Sequence, residues 1–435
     1  MASVRTAIFY TTMTDKTHAH NADKKGARFE FPEGFLWGAS TASHQVEGNT
    51  KNQWSEWELS PGRLADLKKT GLLEKYGRGN FISGIAADHY HLYESDFALA
   101  EEFGHTATRL SLEWSAIEPE EGVFDEAAIE HYRDVIASVK RHGMEPFVTL
   151  WHWTMPLWFY RKGGFEKKEN ARYFVRFAER MVAELDEVRF WITLNEPEVY
   201  AKSSYVDGLW PPQKRGFING WRVFGRLARA HCEAYRAIKR IAPDAQVGVA
   251  KSNSWFEAAH WWDIPAKWYA EFIWNDYFIG RIRDTQDFIG LNFYFHNRIE
   301  NWHYNRNENV RTSDLGWDLS PATIYHVLMD LKRYRVPVYI TENGLADAAD
   351  AQRPWFLRET LKAVHRAIRD GVDVRGYLHW SLMDNFEWAA GFWPRFGLIE
   401  IDYATQKRTP RPSAYVYRDI IKANAVEEEG AEAEE

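Results

Sequence analysis

Two glutamate residues in this chain of 435 residues have the surroundings that acid–base chemistry requires. Glu196 lies in the sequence Thr-Leu-Asn-Glu-Pro, and Glu342 lies in Ile-Thr-Glu-Asn-Gly. Each follows an apolar run typical of a buried strand, so each carboxyl group is partly screened from water and its pKa can be tuned. Two facing carboxyl groups are the equipment of glycoside hydrolysis, in which one protonates the leaving oxygen and the other attacks the anomeric carbon or activates water.

A single glutamate at the end of a strand is more often an ion-pair partner or a cap than a catalyst. Further polar residues that also follow apolar runs favour the catalytic interpretation of the pair. These residues are Gln45, Glu47, Arg109, Glu113, His152, Asn195, Asn292, Tyr294, Asn343, Trp380 and Glu387. In a parallel barrel the carboxyl ends of all strands meet on one face, so we expect these side chains to converge on one pocket.

Eight short apolar runs, with helical patterns between them, predict the elements that position these residues. The predicted strands are residues 35–39, 108–112, 146–150, 190–194, 246–250, 288–291, 337–340 and 375–379. The clearest helical stripe is Ile129, Tyr132, Ile136 and Val139, which Asp125 can cap at its start. Alternation of eight strands with helices predicts the α/β class and a single (β/α)8 TIM barrel.

The connections between these elements indicate one domain. Three long connections, residues 40–88, 196–222 and 251–287, all follow predicted strands and therefore gather on the face where barrel active sites form. No linker or second core interrupts the series. We predict a polar extension over residues 1–28, a catalytic domain over residues 29–422 and an acidic, disordered tail over residues 423–435.

Composition excludes several classes of protein. The formal net charge is −8 and basic residues are not clustered, so no nucleic-acid surface is expected. Cys232 is the only cysteine, which excludes an intrachain disulfide and a multi-cysteine metal cage. No run approaches the roughly 18 apolar residues of a membrane span, and the apolar patch near the start is too short for a signal peptide. We therefore expect a cytoplasmic protein that binds neither nucleic acid nor membranes.

Four separated motifs resemble those of the β-glycosidases of glycoside hydrolase family 1. They are FLWGASTASHQVEG at residues 35–48, TLNEP at 193–197, ITENG at 340–344, and WSLMDNFEW at 380–388, the last of which is followed by RFGL. The likeness runs from about residue 31 to residue 417. It implies a retaining β-glycosidase that works through a covalent glycosyl-enzyme intermediate, without a metal or an organic cofactor.

The resemblance also implies a role for each matching residue. Glu196 matches the general acid and base, and Glu342 matches the nucleophile. Arg109 and Tyr294 would flank Glu342, and Asn195 would bind the sugar 2-hydroxyl. The remaining positions, which would bind the other hydroxyls and the ring of the sugar, are Gln45, His152, Trp380, Glu387 and Trp388. For a retaining enzyme the two carboxyl groups should lie about 5 to 5.5 Å apart.

The sequence departs from the usual family pattern near the entrance for the leaving group. Ala116 stands where arginine is common, and Glu113 stands where a small polar residue is usual. Residues 208–212 read Gly-Leu-Trp-Pro-Pro rather than the more common Gly-x-x-Ala-Pro-Gly, and the region 251–287 is shorter than usual. The preference for a leaving group is therefore open, whereas the two catalytic positions match.

Three other functions compete with this one. A 6-phospho-β-glycosidase typically carries Ser and Lys after the eighth strand, whereas residues 387–393 offer an acid, which would repel phosphate, and aromatic rings. A catalytically silent sugar-binding relative usually loses one catalytic glutamate, and this chain keeps both. A metal-dependent barrel hydrolase would need a ligand cluster such as His-x-His at a strand end, which the sequence lacks.

The expected substrates are small β-glycosides or short β-linked oligosaccharides. Gln45 and Glu387 match positions that address hydroxyls in which glucose, galactose and fucose differ. Terminal, non-reducing β-D-glucosyl residues are the first expectation, and β-galactosyl or β-fucosyl residues are the second. The sequence does not indicate an oligomeric state.

Overall fold

A closed barrel of eight parallel strands occupies the centre of the computed structural model, which describes residues 28–428. The barrel strands, labelled β1 to β8 in chain order, are Leu36–Ser40, Ala107–Ser111, Glu145–Trp151, Phe190–Asn195, Gln246–Ser252, Phe288–Asn292, Val338–Asn343 and Val374–Trp380. Consecutive strands pair in parallel, and β8 closes on β1. The eight predicted strands and the (β/α)8 barrel are confirmed. The largest difference in bounds is at β7, which continues to Asn343 instead of ending at residue 340.

Helices surround the barrel and fill its connections. Those of six residues or more are Gln53–Glu58, Pro61–Lys69, His89–Glu102, Glu126–Arg141, Ala171–Glu184, Phe217–Ile241, Ile264–Ala270, Tyr277–Ile282, Ile324–Leu331, Arg353–Arg369 and Pro412–Ala423. The shorter α-helices are Ser43–Val46, Leu72–Tyr76, Trp114–Ile117, Leu157–Arg161 and Pro197–Ala201. The 3-10 turns are Arg78–Phe81, Gly164–Glu166, Lys168–Asn170, Trp261–Asp263, Pro321–Thr323, Lys332–Tyr334 and Trp388–Ala390, and the π-helical segments are Lys202–Val206 and Glu271–Asp276.

The helix Glu126–Arg141 illustrates how the sequence builds the outer layer. The side chain of Asp125 accepts hydrogen bonds from two backbone amides of the first turn, which satisfies donors that a helix start leaves free. The predicted stripe that includes Ile129 and Ile136 is buried against the barrel. The chain leaves the helix through Gly143, whose φ of 69° lies in the left-handed region that favours glycine.

Aromatic rings fill the amino-terminal half of the barrel interior. The rings of Phe147 in β3 and Phe190 in β4 stack with their centroids 4.3 Å apart, and Tyr339 in β7 approaches Phe147 at 5.1 Å. Because β3 and β7 are not neighbours, such contacts occur only inside the barrel. Thr149, two residues along β3 from Phe147, faces the same interior and accepts a hydrogen bond from Arg109 Nε at 3.0 Å. The polar site therefore lies directly above an apolar floor.

Additional strands lie outside the barrel. Trp255–Ala258 and His296–Ile299 form a parallel pair within the connections that follow β5 and β6. Ile399–Asp402 and Lys407–Pro410 form an antiparallel pair after β8. None of the helices that the structure describes between residues 28 and 428 is both long and apolar enough to cross a membrane.

The predicted boundary of the acidic tail is wrong. Ala423 is the last residue of the helix Pro412–Ala423, and Ala425–Glu427 forms a strand that pairs antiparallel with Arg28–Glu30. The reason is the apolar Val426, which is fully buried in the core and ties this end of the chain to the domain. The rest of the predicted extension, residues 1–27, and of the predicted tail, residues 429–435, lies outside the described residues.

Candidate active site

The two glutamates lie at the carboxyl ends of two barrel strands, near the side-chain amide of Asn292. Glu196 follows β4 and Glu342 lies in β7, and their side chains are buried, with 5% and 4% of the residue surface exposed. Asn292, at the end of β6, donates from Nδ2 to Glu196 Oε1 at 2.9 Å. The same amide also acts on Glu342, whose pKa it lowers. The structure thus brings the predicted pair together around Asn292.

Glu342 is held by strong donors. The guanidinium group of Arg109 forms a buried ion pair with Glu342 Oε1, and the Tyr294 hydroxyl donates to Oε2 at 2.9 Å. Burial raises the pKa of Glu342, whereas the positive charge of Arg109 and the hydrogen bond from Tyr294 act in the opposite direction. These two residues flank the carboxylate as predicted, and they favour its ionised form relative to burial alone.

Glu196 has a different environment. Burial and the negative charge of Glu342 raise the pKa of Glu196 well above its ordinary value. Its direct hydrogen-bond partner is the neutral amide of Asn292 rather than a cation. Two buried carboxyl groups with unequal surroundings are disposed to hold one proton between them, and here the surroundings assign that proton to Glu196.

The backbone at Glu196 adopts a conformation that non-glycine residues rarely adopt. Its φ and ψ are 39° and 62°, in the left-handed region, and its backbone amide donates to the carbonyl oxygen of Ala250 in β5 at 2.8 Å. Pro197 follows as the first residue of a short helix. Strained backbone of this kind persists only where its surroundings fix it, and it is concentrated at functional sites.

A chain of hydrogen bonds continues from Glu342 to His152. Arg109 Nη2 donates to Asn195 Oδ1 at 2.6 Å, which fixes the orientation of the Asn195 amide. The amide nitrogen of Asn195 is 3.0 Å from His152 Nε2. That nitrogen of His152 is therefore the acceptor, and the ring proton lies on Nδ1. Burial and the charge of Arg109 lower the pKa of His152 well below its ordinary value, so the ring is neutral.

Two polar atoms near this chain are buried and lack a hydrogen-bond partner among the described residues. They are His152 Nδ1, a donor, and Gln45 Oε1, an acceptor. Gln45 Nε2 donates to Asn385 Oδ1 at 2.9 Å, which leaves only its oxygen free to accept. Buried polar atoms without partners are rare in folded proteins, and at a polar pocket they indicate a ligand that supplies the missing bonds.

The remaining predicted residues form the rim of the same pocket. The Trp388 ring lies 5.8 Å from the His152 ring and nearly parallel to it, and Trp380 lies 6.2 Å from it. Gln45 Nε2 is 3.4 Å from Glu387 Oε2. Burial and the charge of Glu342 raise the pKa of Glu387 to about 8. All ten predicted site residues therefore belong to one connected group.

Glu47 and Glu113 do not join this group, although both follow predicted strands. Glu47 accepts hydrogen bonds from the Tyr132 hydroxyl, with both carboxyl oxygens 3.0 Å away. Glu113 accepts from Ser115 Oγ at 2.6 Å and from Thr154 Oγ1 at 3.0 Å. The expectation that they converge on the pocket around Glu342 is wrong, because their side chains are bound by hydroxyl groups outside that pocket.

Sequence reasoning assigned no role to four residues that contribute to the site. Asn292 follows a predicted strand, but nothing in its position indicates that it donates to Glu196. Trp153 donates from Nε1 to the backbone oxygen of Asn195 at 2.8 Å and supports the strand end. Lys251 and Glu198 form an ion pair with 3.1 Å between Nζ and Oε1 beside Glu196, which has no sequence signature of its own.

Comparison with known proteins decides the family. The model of glycosyl hydrolase family 1 matches residues 27–263 and 267–426. The chain belongs to glycosyl hydrolase family 1. Among its relatives, a 1,4-beta-D-glucan glucohydrolase of Thermotoga neapolitana is 30% identical over 91% of this chain and 99% of the relative. A beta-galactosidase of Sulfolobus acidocaldarius is also 30% identical, over 92% of this chain and 96% of the relative.

Solved structures of β-glycosidases also resemble this chain. A beta-glycosidase from Pyrococcus horikoshii is 36% identical and superposes with a TM-score of 0.83. The match covers 92% of this chain and 97% of that one. A beta-glucosidase from Thermotoga maritima in complex with glucoimidazole is 30% identical, with a TM-score of 0.83 and coverage of 91% of this chain and 99% of that one. The predicted family and the predicted β-glycosidase activity are confirmed, and this chain is a family 1 β-glycosidase.

Proposed function

We propose that this β-glycosidase hydrolyses terminal, non-reducing β-D-glucosyl residues with Glu342 as the nucleophile and Glu196 as the general acid and base. The observation that carries the proposal is the unequal surroundings of two buried carboxyl groups, of which one accepts from Asn292 and the other pairs with Arg109. Glu342 pairs with Arg109 and is the better anion, whereas Glu196 accepts from a neutral amide and is the better acid. Retaining glycosidases divide the two roles in this way.

In the first step an oxygen of Glu342 forms a bond to the anomeric carbon while the bond from that carbon to the leaving oxygen breaks. The proton of Glu196 moves to the leaving oxygen, so the leaving group departs as a neutral alcohol. The product is a glycosyl ester of Glu342. Arg109 and Tyr294 hold the attacking carboxylate in place through the buried ion pair and the 2.9 Å hydrogen bond.

In the second step the enzyme returns to its starting state. Esterification removes the negative charge of Glu342, and with it one of the causes that raise the pKa of Glu196. Glu196 ionises and takes a proton from water as the water oxygen bonds to the anomeric carbon and the bond to Glu342 breaks. Each step inverts the configuration at the anomeric carbon, so the two together retain it.

The polar atoms of the pocket that lack a hydrogen-bond partner among the described residues are suited to bind the hydroxyls of a sugar. His152 Nδ1 offers a donor and Gln45 Oε1 offers an acceptor, and a sugar hydroxyl both accepts and donates. Glu387 adds a second polar group beside Gln45. We assign to the ring of Trp380 the role of a flat apolar surface for the sugar ring, and to Asn195, next to Glu196, the binding of the 2-hydroxyl.

The sugar preference rests on the relatives. Their names include a 1,4-beta-D-glucan glucohydrolase, beta-glucosidases and beta-galactosidases. We accordingly expect β-glucosides and short β-linked glucose oligosaccharides as preferred substrates, with β-galactosides and β-fucosides as further substrates. We also propose that the enzyme works in the cytoplasm, since a chain with one cysteine cannot gain an intrachain disulfide from an oxidising compartment.

The proposal is tested by hydrolysis of para-nitrophenyl β-glucoside, β-galactoside, β-fucoside and 6-phospho-β-glucoside. Wild type is expected to hydrolyse the three unphosphorylated substrates, fastest for the glucoside. Glu342→Gln should lose about a thousandfold or more in kcat, whereas Glu102→Gln, an exposed glutamate, should match wild type. Selective hydrolysis of the phosphorylated substrate, or no hydrolysis by folded wild type, would overturn the proposal.

Azide separates the roles of the two glutamates. In Glu196→Ala, azide should attack the glycosyl ester, restore turnover of an activated aryl glycoside, and give the β-glycosyl azide. In Glu342→Ala, azide should take the place of the missing nucleophile and give the α-glycosyl azide, because only one inversion then occurs. The same azide anomer from both variants would contradict the assigned roles.

A further inference from the structure

A buried ion pair lies directly behind Glu196. Lys251 in β5 and Glu198 in the helix Pro197–Ala201 have Nζ and Oε1 3.1 Å apart, and each side chain is only 2% exposed. Glu198 Oε1 also accepts from the backbone amide of Ser252 at 2.6 Å. A fully buried ion pair contributes little to stability, because desolvation of the two charges offsets their attraction. Its occurrence here therefore calls for a functional explanation.

The fold fixes both charges relative to Glu196. Glu198 follows Glu196 by two residues in the same turn of the chain. Lys251 follows Ala250, whose carbonyl oxygen accepts the hydrogen bond from the Glu196 amide. Lys251 Nζ also donates to the backbone oxygen of Trp274, which fixes its position from the other side. Both charges are therefore carried by backbone that is adjacent or hydrogen-bonded to Glu196.

The two charges act on Glu196 in opposite directions. The negative charge of Glu198 raises the pKa of Glu196. Lys251 and Glu196 attract each other, so the positive charge favours the ionised form of Glu196. Oε2 of Glu198 is buried without a hydrogen-bond partner, which leaves Lys251 as the cation that balances it.

We propose that Lys251 and Glu198 are positioning residues whose opposite charges set the pH range over which Glu196 serves as the proton donor. This inference rests on the proposed role of Glu196 as the general acid. It adds two residues that touch neither the sugar nor the reacting atoms, and it explains why a charged pair persists in the interior.

Other charged groups also face these side chains, and none of them changes in the experiment. Glu196 faces Glu342 and Arg109, and it acts on the Tyr294 hydroxyl. Lys251 faces Asp276, whose carboxylate pairs with the guanidinium group of an exposed arginine, Arg333. Their effects are common to wild type and variants, so a difference between variants reports the ion pair alone.

The experiment is a double-mutant cycle on the pH profile of kcat/KM, with Glu198→Gln, Lys251→Met and both together. The alkaline limb reports the ionisation of Glu196 in the free enzyme. Glu198→Gln leaves Lys251 unbalanced and should move that limb to lower pH by about half a unit or more. Lys251→Met should move it to higher pH, and the double variant should return close to the wild-type limb.

A purely structural role would lower activity in all variants without moving the limb in opposite directions, and that result overturns the proposal. Glu198→Gln and the double variant alone decide the outcome if Lys251→Met fails to fold. A wild-type enzyme without glycosidase activity is a separate result, because it contradicts the proposed function and not only the role of the ion pair.

A second and independent observation concerns the surface formed by the connections after β5 and β6. Seven aromatic side chains there are between 40% and 77% exposed. They are Trp261, Trp262, Trp268, Tyr269, Phe272, Trp302 and Tyr304, and together they are called the aromatic face. Soluble proteins rarely leave an apolar area of this size uncovered unless it binds something.

The aromatic face is continuous. The Tyr304 hydroxyl donates to the backbone oxygen of Ala266 at 3.4 Å, and the Trp302 amide donates to Asp263 Oδ1 at 2.9 Å, so the connection after β6 lies against the helix Ile264–Ala270. Residues of the aromatic face recur at helical spacing from Trp261 to Phe272, so they share the outer side of this stretch.

The helical stretch presents little net charge to solvent. Lys267 and Glu271 lie one turn apart, and they form an ion pair with each other at 3.4 Å, so their charges cancel. An anionic lipid surface is recognised by clustered Lys and Arg, and the chain has a formal net charge of −8. The surface therefore has the composition of an interface core, rich in Trp, Tyr and Phe and poor in charge.

We infer that the aromatic face binds the same face of a second copy of this chain. At about 200 Å² for each fully exposed aromatic side chain, the exposed fractions correspond to roughly 800 Å² of apolar surface. That is about what each partner contributes to a stable interface. A face that is complementary to itself gives a dimer with a twofold axis, which closes and leaves no further copy to bind.

Sedimentation equilibrium of the full chain tests this inference. Wild type at about 10 µM should have twice the chain mass of 50.9 kDa, because interfaces of this size bind in the micromolar range or tighter. Trp268→Glu with Phe272→Glu should be monomeric. Tyr415→Glu, on an exposed aromatic of a distant helix, should remain dimeric.

A monomeric wild type under these conditions overturns the inference. A monomer that co-sediments with phosphatidylcholine vesicles also overturns it, and would assign the aromatic face to lipid. A dimer that persists in Trp268→Glu with Phe272→Glu would place the interface elsewhere and contradict the inference equally.

Discussion

The molecule holds two pairs of buried glutamates near the carboxyl ends of its strands, and they differ in one respect. Glu196 and Glu342 share their surroundings with Arg109, which is ion-paired to Glu342 alone. Glu47 and Glu113 are bound by hydroxyl groups, and no salt bridge connects either of them to a cation among the described residues. Both pairs are buried, so burial alone does not explain why only one pair has the unequal surroundings that the proposed mechanism requires.

The difference lies in how the proton is distributed. Burial and the charge of Glu113 raise the pKa of Glu47 to about 8, with no cation to favour either carboxylate strongly. In the proposed catalytic pair, the positive charge of Arg109 favours the anion at Glu342, and the negative charge of Glu342 raises the pKa of Glu196. Arg109 itself lowers the pKa of Glu196, but burial and the charge of Glu342 outweigh it. In the proposed mechanism this asymmetry makes Glu342 the nucleophile and Glu196 the proton donor.

Removal of the cation should have the largest effect. In Arg109→Met the carboxylate of Glu342 loses its buried positive partner, so kcat/KM should fall by about a thousandfold or more. The acidic limb of the pH profile should move to higher pH, because the pKa of Glu342 then follows its burial. Steady-state kinetics of folded protein measure both effects. Arg229→Met, at an exposed arginine, is the control, and a normal acidic limb in Arg109→Met would contradict the comparison.

Removal of the second donor should have a smaller effect in the same direction. Tyr294→Phe deletes the hydroxyl that lies 2.9 Å from Glu342 Oε2 but leaves the ring and the cation. We expect kcat/KM to fall by about 10- to 100-fold and the acidic limb to rise, since one hydrogen bond to a buried carboxylate is lost. An unchanged acidic limb with reduced kcat/KM would show that the hydroxyl does not act on the ionisation of Glu342.

The non-catalytic pair should affect stability rather than activity. The pKa of Glu47 is about 8 in the folded state and its ordinary value is 4.5, so the folded protein binds the proton more tightly. The stabilisation that this tighter proton binding gives the folded protein is complete below pH 4.5 and is lost as the pH rises towards 8. The glutamine of Glu47→Gln does not ionise. Between pH 5 and pH 8 the free energy of unfolding of the variant should therefore fall by roughly 2 to 4 kcal/mol less than that of wild type.

Chemical unfolding of wild type and Glu47→Gln at the two pH values measures that difference. Glu102→Gln, which changes an exposed glutamate, should give the wild-type pH dependence. Equal pH dependence in Glu47→Gln and wild type would mean that Glu47 is ionised in the folded protein, and would remove the contrast between the two pairs. Glycosidase activity should be unchanged in Glu47→Gln.

Much of the fold and of the site was predictable from local sequence. Apolar runs gave β1 to β8 because barrel strands are buried on both faces, and the motifs around Glu196 and Glu342 marked the strand ends. The length of β5 was not predictable: Lys251 was expected to begin a long connection, but it lies within the strand, where its charge is compensated by Glu198. The charge of Lys251 within a buried strand is explained by Glu198, a partner that is distant from it in sequence.

The same limit explains the other differences. Glu47 and Glu113 follow strands as the catalytic residues do, and only the directions of their side chains in the folded protein separate them from the pocket. Ala425–Glu427 stands next to an acidic run, yet Val426 is buried by contacts with residues almost 400 positions away. Composition describes a segment on its own, whereas these outcomes depend on what the fold brings against it.

The most direct test of the central claim is to trap the glycosyl ester. A 2-deoxy-2-fluoro-β-D-glucosyl fluoride lacks the 2-hydroxyl that assists both steps but keeps a good leaving group, so the ester should form and accumulate. Mass spectrometry of the digested protein is expected to locate one added fluoroglucosyl group on Glu342, and Glu342→Gln should remain unlabelled. A label on Glu196 or on any other residue, or no label on an active enzyme, would contradict the assignment of Glu342 as the nucleophile.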